Sequence, residues 1–96
     1  EDLESAVRIN AKFHRNIRAA TKNRYLVQMI ETLYSYEQEF RYQALQDLNQ
    51  RRIGYEEHLS ILEAIRVRDC ELAETRMRNH VRRSALHIIS EEIMQL

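Results

Sequence analysis

Ninety-six residues with no proline and a single glycine make one domain of modest size, too poor in turn formers for a strand-rich architecture, since ordinary domains carry about 5% proline and 7% glycine. The 15 basic and 15 acidic residues cancel, which argues against a nucleic-acid-binding module with its net basic face. The lone Cys70 excludes an internal disulfide framework and fits a reducing, cytoplasmic setting.

In chain order, the 3.6-residue period predicts four helices. The first spans about Leu3 to Ala20, with Leu3, Ala6, Val7, Asn10, Phe13, His14, Ile17 and Ala20 on one side. Thr21, Lys22 and Asn23 interrupt it, and Asn23 suits the N-cap of the next helix. The second spans about Arg24 to Leu48, with a stripe of Leu26, Met29, Ile30, Leu33, Glu37, Phe40, Ala44 and Leu48. The third is expected to start between Arg52 and Tyr55 and to end near Arg68, with Tyr55, His58, Leu59, Ile61, Leu62 and Ile65 facing inward. Asp69 then supplies a clear start signal for a fourth helix, about Cys70 to Gln95. Its inner face reads Cys70, Ala73, Met77, His80, Val81, Ser84 and Ile88, and a second stripe of Leu86, Ile89, Ile93 and Leu96 follows. Two stripes imply two partners, the second being a neighbouring subunit or a missing part of the protein, with a frayed helix end as the equal alternative. The fold class expected is all-α, an antiparallel bundle of about four helices.

No apolar run approaches the roughly 18–20 residues of a membrane span, and no signal-peptide pattern opens the chain. Its first residue is Glu1, so it is expected to be a piece of something longer. Thirteen of the 15 basic residues are arginine. The cluster Arg76, Arg78, Arg82 and Arg83 reads as a solvated face, with an anion-binding patch as the alternative.

The informative residues are polar ones in apolar places. Asn10 and His14 fall inside the arc of the first helix, His58 inside that of the third and His80 inside that of the fourth. His87 lies at the edge of its arc. One core histidine is usually a ring whose nitrogens have found partners; three on different helices, joined by an asparagine one turn before the first, suggest a metal. Neutral imidazoles suit zinc, nickel, manganese or iron, and the i, i+4 spacing lets Asn10 and His14 reach one ion. In the second helix, Glu37 and Arg41 either satisfy one another as an i, i+4 pair or leave Arg41 to present its planar fork to a ligand carboxylate. Tyr34 lies close to the same face, and Arg18, one turn after His14, is a further candidate. Motifs of catalysis are missing: Tyr55 precedes His58 by three and Met77 precedes His80 by three, where a di-iron site needs glutamate. Cys70 reads as a buried small hydrophobe. An enzyme is not expected.

These residues form an ordered set: Asn10-Ala-Lys-Phe13-His14, Asn23-Arg-Tyr-Leu26, Glu57-His58-Leu-Ser-Ile61-Leu62-Glu-Ala64-Ile65, Asp69, Ala73 and Met77-Arg-Asn-His80. It resembles the C-terminal effector domain of FadR-type regulators in the GntR superfamily of bacterial transcription factors. The resemblance covers nearly the whole chain. It implies an antiparallel bundle of six or seven helices, of which this chain lacks the first one to three, and a missing N-terminal winged-helix domain through which DNA is bound. It further implies a divalent metal held by His14, His58 and His80, with Asn10 where the family carries aspartate. A small organic acid would bind at the metal, with Arg41, Tyr34, Glu37 and Arg18 as candidate contacts, and the regulator would act as a homodimer. The alternative is a helical dimerisation module that binds no metal.

Overall fold

The computed structural model describes residues 2–96, less the side chains of Tyr34, Ser35, Tyr36, Glu37, Glu39 and Phe40. Among the described residues the only regular elements are four helices, α1 (Leu3–Ala20), α2 (Arg24–Leu45), α3 (Leu48–Arg66) and α4 (Cys70–Met94). They form two compact units, residues 1–46 and 47–96. Each helix begins at a side-chain cap. The carboxylates of Asp2, Asp47 and Asp69 and the amide oxygen of Asn23 accept from the amides of Ser5, Asn49, Leu72 and Leu26 in the first turn. Such a cap satisfies a donor that the helix itself leaves open. The backbone bond from Ser5 is the main reason the Asp2 carboxyl sits below its ordinary pKa.

In the first unit, α1 and α2 pack together through a three-residue turn. The predicted α1 arc is the covered one: Leu3, Ala6, Val7, Asn10, Phe13, His14 and Ile17 are all partly buried, while Ala20 is exposed. The α2 stripe is less covered, with Met29 and Leu33 exposed and Ile30 and Ala44 partly buried. The predicted stripe positions Glu37 and Phe40 lie outside the described residues.

The boundary between α2 and α3 differs from the expectation. The helix ends at Leu45 and the next begins at Leu48, with Asp47 capping it. Asp47 accepts from both Asn49 and Gln50, at 2.8 and 3.4 Å. A strong acceptor at that position outweighs the apolar periodicity that runs on to Leu48, which is exposed. Gly54 consequently lies inside α3, not ahead of it, and an added Cβ there would meet nothing within 4 Å.

The second unit is a hairpin of α3 and α4. Contacts pair Ser60 with Arg76, Glu57 with His80 and Arg83, and Gln50 with Arg83; the numbers rise on one helix as they fall on the other, so the helices are antiparallel. Arg68 makes the turn, with φ 60° in the left-handed region. Its amide donates to the Ile65 carbonyl and that of Asp69 to Ala64, which closes the end of α3. The residues buried here are Ile61, Ala64 and His80.

Three expectations about faces are corrected. The inner face of α3 is the line Gln50, Glu57, Ile61 and Ala64 that meets α4, whereas Tyr55, Leu59, Leu62 and Ile65 stay exposed. Within the hairpin, α4 covers only part of the broad apolar arc of α3. Cys70 is exposed, not buried: it occupies the first turn of α4, beyond the reach of the hairpin's core. On α4, Ala73, Met77, Ser84 and Ile88 are partly buried as expected, but Val81 is exposed. The second stripe, Leu86, Ile89, Ile93 and Leu96, is uncovered in this chain.

Candidate metal centre

The hairpin brings His58 and His80 together. Their Nε2 atoms lie 3.3 Å apart, and the rings meet edge to face with centroids 4.8 Å apart. His80 is buried, at 5% exposure. Two imidazole nitrogens at zinc-ligand distances of about 2.0–2.1 Å in tetrahedral geometry are separated by about 3.3–3.4 Å, so this pair stands at the spacing that a shared ion requires. The same distance also suits a direct bond in which one ring donates and the other accepts.

Behind His80 stands a chain of polar side chains that the sequence-based expectations do not bring together. His80 Nδ1 donates to Glu57 Oε1 at 2.7 Å, and Arg83 Nε donates to Glu57 Oε2 at 2.6 Å. Arg83 Nη1 reaches Gln50 Oε1 at 2.7 Å, and Arg76 Nη1 donates to the Ser60 carbonyl at 2.7 Å. Partial burial pushes the Glu57 carboxyl up, but the bonds from Arg83 and His80 outweigh it and hold the group below 4.5. An orienting carboxylate behind a histidine is the usual companion of a metal-ligating imidazole. The sequence does carry a signal for it: Glu57 precedes Ile61 by four and Ala64 by seven, and Arg76, His80 and Arg83 follow the same i, i+4, i+7 line. The arginine cluster therefore splits. Arg76 and Arg83 tie α4 to α3, while Arg78 pairs with Glu74 on the exposed side.

An open groove of about 300 Å³ flanks this network, lined by Ile53, Glu56, Glu57, Ser60, Arg76 and Asn79 beside His80.

In the first unit, Asn10, His14 and Arg18 succeed one another by one turn on α1, all partly buried. The Phe13 ring stands edge-on to His14 at 5.1 Å. The Nε atoms of Arg18 and of Arg41, on α2, are buried. The side chains of Tyr34 and Glu37 lie outside the described residues.

The FCD domain model matches residues 1–83. The chain belongs to the FCD family, the C-terminal effector-binding domains of FadR-type GntR regulators. Domains of this family are parts of transcription regulators, which are generally not enzymes. No curated protein and no solved structure matches the chain. None of its helices, among the described residues, is long and apolar enough to cross a membrane.

Proposed function

We propose that this domain senses a small organic acid through a bound divalent metal and thereby controls DNA binding by a winged-helix domain of the same regulator. The observation that supports it most is the pair of Nε2 atoms 3.3 Å apart, one of their rings backed by a part-buried carboxylate. His58 and His80 are the first two ligands in this reading. His14 and Asn10, matched to the family pattern, are the third and fourth. Asn10 brings an amide oxygen where the family carries a carboxylate, so the ion keeps its full charge and attracts an anionic effector more strongly. The metal supplies a Lewis-acidic anchor for the effector carboxylate; Arg41, Arg18, Tyr34 and Glu37 are the proposed contacts for the rest of it. Effector and DNA responses are coupled only as far as the effector binds one arrangement of the homodimer better than another.

Elemental analysis of protein purified without chelator or affinity metal tests this reading. One zinc, nickel, manganese or iron per chain is expected, lost in His58→Ala and in His80→Ala. A thermal-shift screen of small carboxylates, with and without those metals, should then find ligands that act only with metal. The exposed stripe of Leu86, Ile89 and Ile93 favours a second reading, a helical association module that binds no metal. Metal-free protein whose melting is unmoved by added zinc, nickel or manganese would select it.

A further inference from the structure

We propose that Glu57, clamped by Arg83, is a positioning residue that fixes the His80 ring as its Nδ1–H tautomer and so keeps the Nε2 lone pair available on the His58 side. A neutral imidazole carries one proton on two nitrogens, and an ionised carboxylate only accepts. With Nδ1 at 2.7 Å from Glu57 Oε1, the proton belongs on Nδ1 and the lone pair on Nε2. The carboxylate is itself held at its other oxygen by Arg83 Nε at 2.6 Å, and Arg83 is anchored on Gln50. Guanidinium is donor-only, so the position between Arg83 and His80 faces a donor on each side. Only a group with two acceptor atoms satisfies both.

Glutamine, nearly the same shape, has one acceptor and one donor. If its oxygen faces His80, its amide N–H₂ confronts the Arg83 Nε–H. If it turns over, N–H₂ faces Nδ1, which must then accept, and the proton moves to Nε2, the nitrogen offered to the ion. The charged bond to Arg83 is the stronger of the two, so the second orientation is favoured and Glu57→Gln blocks the ligating atom without removing it. Arg83→Met takes away the competing donor and lets the introduced glutamine turn its oxygen back to His80. The tautomer follows from the Glu57 and Arg83 contacts; its effect on metal affinity rests on the metal reading above.

The test uses the full chain, labelled with nitrogen-15 and metal-free, with the pH raised until the ring-nitrogen signals no longer move, so that the neutral imidazoles are read. Long-range proton–nitrogen correlation reads the tautomer of each ring. In the unsubstituted chain His80 should be Nδ1–H, with its proton on the nitrogen that faces Glu57. In Glu57→Gln the His80 tautomer should switch, and in Glu57→Gln with Arg83→Met it should switch back. Zinc titration against a chromophoric chelator should show about a 10–100-fold loss for Glu57→Gln, the range for an outer-shell partner, with most of it recovered in the double variant. A merely structural Glu57 predicts the reverse order, with the double variant worse than the single and the tautomer unmoved. That result overturns the proposal, as does an Nε2–H ring for His80 in the unsubstituted chain, a measurement that needs no variant to fold. Tautomers as expected in a chain that binds no zinc would uphold the positioning role and remove the metal reading.

Discussion

Arg68→Gly should stabilise the chain, and the turn between α3 and α4 sets the size of the effect. Arg68 holds φ 60°, and the conformation is enforced from both sides: its own amide is bonded to Ile65 at 3.0 Å and the next one to Ala64 at 3.0 Å. Ala64 has no exposed surface, so the turn cannot relax without disturbing the hairpin's core. A side-chain-bearing residue in this region costs about 1–2 kcal/mol. Glycine removes that cost but gives up about 0.5–1 kcal/mol through its freer unfolded chain. Taken at the middle of both ranges the net gain is about 0.75 kcal/mol, which for a chain of this length raises Tm by about 3–6 °C. Thermal melting by circular dichroism measures it, with Arg68→Ala as the control that removes the exposed side chain and keeps the backbone cost. A glycine variant that melts at or below the alanine variant would refute the reasoning, because the positive φ would then not be a strain that glycine relieves.

Gly54→Ala should add about 1 kcal/mol, since the residue lies within α3 and its new methyl has open space; chemical denaturation at constant m-value checks it. Asn10→Asp should tighten divalent-metal binding in a competitive titration, and weaker binding would place Asn10 away from the ion. Glu57 predicts an acid limb. Its carboxyl is held below 4.5 in the folded chain, so its contribution is present above the unfolded value and disappears as pH falls through the lowered folded one. Melting temperature plotted between about pH 5 and 3 should therefore fall less steeply in Glu57→Gln.

Four helices are legible because their periodicity and two of their caps, Asn23 and Asp69, are plain in the sequence. Asp47 is not legible as a cap because apolar spacing carries on past it to Leu48; a single acceptor decides the boundary, and spacing is blind to it. His80 is readable as a buried polar residue, since it interrupts the line from Ala73 through Met77 to Ser84. Its partner Glu57 is not, although it lies on the line of Ile61 and Ala64, because charged residues at a helix face are ordinarily solvated. The same prior assigns Arg76 and Arg83 to water. What reverses it is pairing across two helices, which no single-helix pattern contains. The exposure of Leu59, Leu62 and Ile65 is likewise illegible: an apolar arc states how much a helix has to hide, not how many neighbours hide it.

The two inward arginines flank His80 on α4, one turn before it and one turn after. Arg76 grips a backbone carbonyl of α3 and Arg83 a carboxylate and an amide, so the hairpin is staked at both ends of its imidazole pair. Sliding one rod along the other by a turn, or rolling it about its axis, would have to pull out both stakes together. The spacing of the rings is thus held by guanidinium bonds on either side as well as by the edge-to-face contact of the rings themselves.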